Sequence, residues 1–385
     1  MQIYSSRSFF FFAIAIAMLL SSCALVKRAT QTTADISSIK FLSKYDLPGN
    51  LMYNNTSVGG LSGIDYDAQH DLYYMICDDR GDKNPARFYT ARIFLTGKGI
   101  DSVVFTGVKN LLQKNGNIYP NNKQDRYHVP DPEAMRYNPA GKQLIWSSEG
   151  ERIVNEKDTI LTDPAIIVVS PEGYYMDSFI MPASLVMHTT ARGPRRNGVL
   201  EGLSFADNYK TLFVNAEEPL FEDGPRADLE DNNAFIRIFK FDMAGKKNTA
   251  QYAYGLAPVA YPAVPEKEFK INGVPDILSI GNNKLLVMER SFSTGRLACT
   301  IKLFLADLAG ATDISRVTLR ENKDFIPATK KLLLNLDNLG IYIDNIEGMT
   351  FGPVLPNGHK TLLLVADNNF NAVQISQVLL FEIME

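Results

Sequence analysis

The sequence of 385 residues contains one short motif five times, and this repeat constrains the fold more than any other feature. Each copy opens with a polar residue, which is an acid in four of the five copies, and continues with small and apolar residues. The copies begin at Ser62, Glu133, Glu201, Asp276 and Glu347. These positions are separated by 71, 68, 75 and 71 residues. Such a regular period predicts one supersecondary unit that is used several times.

Each copy is followed by a turn and by an apolar run that stops before a second acid. The turns are rich in Asp, Asn, Gly and Pro, and the second acids are Asp78, Glu149, Glu217, Glu289 and Asp367. Two apolar runs joined by such a turn are typical of a β-hairpin. A third strand is predicted in every repeat, at 87–94, 165–170, 235–241, 300–305 and 377–383. Fourth strands are predicted at 102–106, 177–182, 251–256 and 315–319.

Three or four antiparallel strands repeated about five times predict an all-β fold, a β-propeller. The last repeat stops after its third strand, and we expect a strand at 39–47 to supply the fourth and close the ring. We expect five blades; the alternative is a degenerate sixth blade between Val317 and Asn345. A two-sheet sandwich is the alternative architecture. Residues 328–336 fit either one helical turn or an extended segment.

The order of residues at the N-terminus predicts a targeting signal. Arg7 precedes an apolar run at 9–20, which is too short to span a bilayer and typical of a secretory signal. Ser21, Ser22 and Cys23 then resemble a bacterial lipobox, in which the cysteine is lipidated; an ordinary signal peptide containing a cysteine is the alternative. We expect a signal peptide at 1–22, a flexible tether at 23–38 and the propeller domain at 39–385. This predicts a monomeric cell-envelope protein, held to the membrane by its lipid anchor only.

Composition narrows the remaining possibilities. The net charge of −4 and the absence of a basic tract argue against a nucleic-acid partner. After processing, only Cys77 and Cys299 remain, and both lie in apolar strand-like runs. We therefore expect two buried free thiols rather than a disulfide.

The spacing of the acids predicts where they lie. In the second and third repeats the two acids are 16 residues apart, so they should meet at the open end of the hairpin. All open ends face one side of a propeller, and clustered like charges need a compensating group. Ca²⁺ suits such a site. Its candidate ligands are Glu133, Glu149, Glu201, Glu217, Glu289, Glu347 and Asp367. The alternative is architectural: the acids cap strand ends and pair with Arg80, Arg152 and Arg290.

A basic loop directly precedes the third repeat. Arg192, Arg195 and Arg196 are candidates for binding an anionic ester or phosphate ester, and a solvated loop that balances nearby acids is the alternative. His128, Glu133 and Glu201 are candidates for general acid–base catalysis, although no catalytic residue is assigned. Motifs of α/β-hydrolases, zinc proteases and P-loop proteins do not occur in the sequence.

Several segments together resemble the phytase-like domain family, also called "esterase-like activity of phytase". They are Asp344-Asn345-Ile346-Glu347-Gly348-Met349, Asp367-Asn368-Asn369-Phe370, Glu201-Gly202-Leu203, Glu217-Glu218-Pro219-Leu220 and Glu289-Arg290-Ser291-Phe292. Ser62 departs from the pattern, because later repeats place an acid there. The resemblance implies a β-propeller from an exported, mostly bacterial group and, loosely, esterase or phosphoric ester hydrolase activity. We therefore expect a metal-assisted ester hydrolase; the alternative is a non-catalytic envelope propeller that binds a ligand or protein partner.

Overall fold

The apolar runs separated by Gly, Asn and Asp turns form 24 strands in a computed structural model, which describes residues 36–385. The chain starts with β1 (Ser38–Asp46) and a small hairpin of β2 (Met52–Tyr53) and β3 (Thr56–Ser57). Blade 1 consists of β4 (Leu61–Asp67), β5 (Leu72–Cys77), β6 (Arg87–Thr96) and β7 (Gly99–Asn110). Blade 2 consists of β8 (Pro132–Asn138), β9 (Gln143–Ser148), β12 (Ala165–Val169) and β13 (Tyr175–Ser178), with the hairpin β10 (Glu151–Asn155) and β11 (Asp158–Thr162) inserted.

The remaining blades follow in the same way. Blade 3 consists of β14 (Leu200–Ala206), β15 (Thr211–Ala216), β16 (Phe235–Asp242) and β17 (Lys247–Gly255). Blade 4 consists of β18 (Lys270–Gly281), β19 (Lys284–Ser293), β20 (Thr300–Asp307) and β21 (Thr329–Asn335). Blade 5 consists of β22 (Asn345–Phe351), β23 (Thr361–Asp367) and β24 (Gln377–Met384), with β1 as its fourth strand.

The first strands of the five blades form the inner wall of the ring. Strands β4, β8, β14, β18 and β22 pack against one another in a closed cycle, and each following strand lies further out. Strand β1 closes the ring by pairing with β24 from Ser38↔Met384 to Asp46↔Gln377. The predicted five-bladed all-β propeller is confirmed, and the described residues contain no sixth four-stranded sheet.

One predicted strand is wrong. Residues 315–319 are irregular, and the fourth strand of blade 4 is β21. Ile314 and Leu319 instead pack in a small cluster with Ala253 of blade 3. The Arg237 guanidinium donates to the carbonyls of Ile314 at 3.1 Å and Val317 at 2.6 Å. The apolar residues that suggested a strand thus cover the outer edge of blade 3.

The predicted fourth strand of blade 2 at 177–182 overlaps the observed strand, Tyr175–Ser178, only at residues 177 and 178. Residues 328–336 are mostly extended, and the 3-10 helix Leu336–Leu339 follows. Cys77 and Cys299 are buried free thiols, as predicted. No helix within residues 36–385 has the length and apolar character needed to cross a membrane. The predicted signal peptide, Cys23 and the tether up to residue 35 lie outside the described residues.

Candidate functional site

A β-bulge near the open end of each inner hairpin decides where the repeated acids lie. In blades 1, 2, 3 and 5 the bulge contains the leading residue of the motif, namely Ser62, Glu133, Glu201 and Glu347. In blade 4 the bulge falls earlier, between Gly273 and Asp276. A bulge bends its strand and redirects a side chain. Contrary to the expectation from spacing, the leading residues of those four blades are displaced from the ladder rather than directly opposite the second acids.

The redirected side chains meet in one pocket of about 360 Å³ at this face of the ring. Its acidic lining residues come from blades 1, 2, 3 and 5 and are Asp78, Glu133, Glu149, Glu201, Glu217 and Glu347. Carboxylate oxygens of Asp78, Glu347 and Asp367 lie within 4.8 Å of one another. A second set with the same spacing consists of Asp131, Glu133 and Glu149.

Burial of so many carboxyl groups raises their pKa values. Removal from water is the largest cause, and it raises the pKa of Glu149 to about 8 and that of Asp131 to about 7. Burial, with repulsion from Glu149, also holds the pKa of Glu201 well above its usual range. The N–H of Val199 donates to the Glu149 carboxylate and opposes part of the rise in its pKa. The charged forms are therefore unfavourable unless a cation enters the pocket.

Blade 4 contributes a cationic side chain to the pocket instead of a carboxylate. The Arg290 guanidinium donates to Glu217 at 2.7 Å, to Asn345 at 2.5 Å and to the carboxylate of Glu347. Arg290 is the one cationic side chain among the described residues that line the pocket. One arginine faces six lining acids, so it cannot balance the charge of all six if they ionise.

The two repeat acids of blade 4 serve other contacts. Asp276 accepts two hydrogen bonds from Arg136, at 2.8 and 2.7 Å, in the buried centre of the ring. Glu289 accepts hydrogen bonds from Tyr254 at 2.8 Å and from Lys330 at 2.6 Å. The structure therefore gathers six of the seven predicted metal ligands and leaves Glu289 outside the pocket.

The predicted anion-binding loop lies beside the pocket rather than in its lining. Arg192 pairs with Glu222 at 3.5 Å, and Arg196 donates to Glu151 at 2.9 Å. Arg195 donates to two backbone carbonyls and lies 4.4 Å from the centre of the Phe221 ring.

Asn197, which was not predicted, and His128, which was, differ in their relation to the pocket. The next residue of that loop, Asn197, does line the pocket. His128 is largely exposed, contacts Asp125 at 2.7 Å and is not among the lining residues.

Asp367 shows that the site suits a cation. Its side chain is fully buried, and Oδ1 accepts the N–H of Asn369 at 2.9 Å, whereas Oδ2 has no hydrogen-bond partner. An unpaired buried carboxylate oxygen is costly in free energy. Because Asp78 and Glu347 present oxygens beside it, the residues fit a hard cation such as Ca²⁺, which takes about six to eight oxygen ligands.

Sequence reasoning missed the apolar wall of the pocket. Phe269, Ile271, Phe292 and Leu297 line the side formed by blade 4. The signal was present in the spacing, because the fourth repeat starts 75 residues after the third and shortens the interval between its acids to 13. Asp78, Asp131 and Asn345 were likewise absent from the predicted ligands.

Comparison with known proteins gives one family match. The family model described as "Phytase-like: Esterase-like activity of phytase" matches residues 56–370, which is most of the chain. No curated protein sequence matches the chain.

Several solved structures share a low level of similarity. An exo-β-1,3-galactanase from Phanerochaete chrysosporium with galactose has 11% identity and a TM-score of 0.44, over 88% of this chain and 64% of that chain. The periplasmic gluconolactonase PpgL of Pseudomonas aeruginosa has 12% identity and a TM-score of 0.37, over 86% and 87%. A β-xylosidase/α-arabinofuranosidase from a compost microbial metagenome has 10% identity and a TM-score of 0.42, over 85% and 92%. These similarities carry no argument about activity.

Proposed function

The chain belongs to the phytase-like family, and from this premise we propose that it hydrolyses phosphate or carboxylic esters with the help of a divalent cation. The observation that carries the proposal is the convergence of carboxylates from four blades on one pocket, together with the buried unpaired oxygen of Asp367. If the acids served only to stabilise the fold, Oδ2 of Asp367 would be expected to have a hydrogen-bond partner, since burial of an unpaired polar atom destabilises the fold.

The proposal assigns the cation to the set of Asp78, Glu347 and Asp367, and a second ion to Asp131, Glu133 and Glu149. Bound Ca²⁺ would supply Lewis acidity toward the ester oxygen and favour ionisation of a water molecule. Glu201, which belongs to neither set, is suited to general acid–base work, because its raised pKa lets it hold a proton near neutral pH.

A calcium titration tests the metal. We expect Ca²⁺ to raise the free energy of unfolding by about 2.7 kcal/mol when its free concentration is about 100-fold above Kd. The double substitution Asp78→Asn with Asp367→Asn should remove the part of this response that comes from the first ion, and only the part that the set of Asp131, Glu133 and Glu149 supplies should remain. Glu289→Gln is the matched control, because it changes a buried repeat acid outside the pocket and should leave the response intact. A wild-type protein that shows no change in Tm with Ca²⁺, and no bound metal by elemental analysis, contradicts metal assistance.

Turnover tests the reaction. Nitrophenyl phosphate, nitrophenyl acetate and phytate are offered to the protein with calcium and after EDTA treatment. We expect hydrolysis of at least one ester, its loss with EDTA, and a fall in kcat of about 100-fold or more in Glu201→Gln. The alternative function is a non-catalytic propeller that binds a ligand or partner. It is favoured if all three compounds stay intact while Glu201→Gln and Glu347→Gln change only the melting temperature.

We also propose export and lipid attachment at Cys23. Both rest on the order of charged, apolar and small residues before Cys23. Expression in a bacterial host with labelled palmitate should label the wild-type protein and leave Cys23→Ser unlabelled. Equal labelling of the two proteins, or label in neither, would contradict the proposal.

A further inference from the structure

We propose that the pocket accepts esters that carry an aromatic or bulky apolar group on one side of the scissile bond, and that it disfavours compact polyanions such as inositol polyphosphates. This inference rests on the proposed function, because it names the substrate class of the same site. It follows from the shape and composition of blade 4 at the mouth of the pocket.

The inner hairpin of blade 4 is longer than its counterparts. Strand β18 contains 12 residues and β19 contains 10, whereas β4 contains 7 and β5 contains 6. The extra rungs lie at the open end, where Ile271 pairs with Phe292 and Gly273 pairs with Arg290. The hairpin therefore continues past the level at which the other blades place their acids.

The apolar residues of this extension lie on the same face as Arg290. Side chains two residues apart in a strand share a face, so Phe292 lies on the face of Arg290 and Ile271 on the face of Gly273. Gly273 is required there, because a Cβ atom would lie 2.7 Å from Cγ of Glu217. The opposite face is occupied: Ser291 and Ser293 bond to the backbone of Ala260 and Tyr261.

The wall is accessible to a ligand. The rings of Phe269 and Phe292 lie 6.2 Å apart at 37° to each other. Phe269 is 51% exposed and Leu297 is 73% exposed, although both line the pocket. Large apolar side chains left exposed around a polar floor are the ordinary composition of a site for an amphiphilic small molecule. They bury apolar surface only when such a molecule binds.

The other residues that line the pocket suit a ligand with one small polar head group rather than a ligand with many charges. Asn197, Asn369 and Gln374 supply neutral amides around the carboxylate floor. Arg290 is already bound by Glu217 and Glu347. A ligand with charge on every side would place phosphates against the apolar wall and against acids that no cation covers, which costs free energy. A ligand with one polar end and one apolar end avoids both contacts.

Matched ligands with and without a phenyl group test the inference. Binding of phenylphosphonate and methylphosphonate, which share a head group, is measured by calorimetry in saturating Ca²⁺, and phenylacetate and acetate repeat the comparison for a carboxylic head. We expect the phenyl member of one pair to bind about tenfold more tightly, as burial of about 60 Å² of apolar surface predicts. The preference should fall below about threefold in the double variant Phe269→Ala with Leu297→Ala.

Phe94→Ala is the control, because Phe94 is 47% exposed on blade 1 and does not line the pocket. It should keep the preference of the wild type. Equal affinities within both pairs, a preference that survives in the double variant, or tighter binding of inositol hexakisphosphate than of either phenyl ligand would overturn the inference.

The two proposals fail in different ways. If the phenyl ligand binds preferentially but phenyl phosphate and phenyl acetate are not hydrolysed, the proposed hydrolase activity is contradicted and the proposed ligand class is supported. If an ester is hydrolysed but neither pair of ligands shows a preference, the proposed hydrolase activity is supported and the proposed ligand class is contradicted.

Discussion

At the scale of single residues, Arg290 makes the acidic pocket compatible with a folded chain. It lies between Glu217 and Glu347, and all three groups are largely removed from water. Because burial raises the pKa of Glu347 while Arg290 opposes that rise, the arginine keeps at least part of the carboxylate charge in place. Asp367 and Asp78 have no such partner and are the groups that most favour a cation.

We predict that Arg290→Gln lowers the free energy of unfolding of calcium-free protein by about 3–5 kcal/mol at pH 7, because it leaves two buried carboxylates unpaired. Arg92→Gln, which removes a pair between exposed side chains, should change it by less than about 0.5 kcal/mol. Urea unfolding of both variants measures the difference. Similar values for the two would mean that Arg290 does not compensate the pocket.

At the scale of elements, the second position of the repeated motif lets the inner strands approach closely. This position is Gly63, Gly202 and Gly348 in blades 1, 3 and 5. A Cβ atom on Gly202 would lie 2.8 Å from the Asp276 Cα, and one on Gly348 would lie 2.9 Å from the Gly63 Cα. The atoms met are backbone atoms of the neighbouring inner strand, which cannot move without opening the ring.

We therefore predict that Gly202→Ala lowers the free energy of unfolding by about 1–3 kcal/mol through overpacking. Gly310→Ala is the control, since a Cβ atom there meets nothing within 4 Å. Thermal unfolding of the two variants measures the effect. If Gly202→Ala unfolds at the wild-type temperature, the inner strands are less tightly packed than the contacts imply.

Strand β1 is the second element with a direct test. It pairs with β24 from Ser38↔Met384 to Asp46↔Gln377, and the Phe41 ring packs edge-on against Phe381 at 5.6 Å. A chain that begins at Pro48 should lose ring closure, expose the edge of β24 and unfold at lower temperature with a broader transition than a chain that begins at Ser37. Indistinguishable transitions would show that blade 5 does not need its fourth strand.

At the scale of the whole molecule, the acidic pocket gives the protein an unusual dependence on pH. The pKa of Glu149 rises from 4.5 to about 8 and that of Asp131 from 3.8 to about 7 on folding. A group whose pKa is raised in the folded state stabilises the fold fully below its unfolded pKa, and this contribution is lost as the pH rises through the folded pKa. Groups with lowered pKa values, such as Glu382, contribute stability that is fully present above about pH 4.5 and is lost only as the pH falls below that value.

We predict that calcium-free protein loses stability as the pH rises from about 5 to 8, and that saturating calcium flattens this slope, because the ion favours the charged carboxylates. Urea unfolding at four pH values, with EDTA and with calcium, measures both curves. Stability that is constant or increases with pH in EDTA would contradict the raised pKa values.

The sequence alone was sufficient for the ring itself. The repeat, its turns and the missing fourth strand of the last blade predicted five blades closed by β1, because hairpins and turns follow from residues close together in the chain. The same local pattern misled at 315–319, because Leu319, like the adjacent Ile314, packs against blade 3 and is not part of a strand.

Only the tertiary structure decided which residues line the pocket. Spacing predicted an acidic face, but the bulge of blade 4 lies between Gly273 and Asp276, directly before the leading acid instead of at it. Asp276 therefore contacts Arg136, Glu289 contacts Lys330, and Arg290 lines the pocket. The direction of a side chain at a bulge depends on packing between blades that are about 70 residues apart in the chain. The repeated acid at the foot of each hairpin was therefore readable from the sequence, whereas the choice of which acids share a pocket, and which wall faces them, required the closed ring.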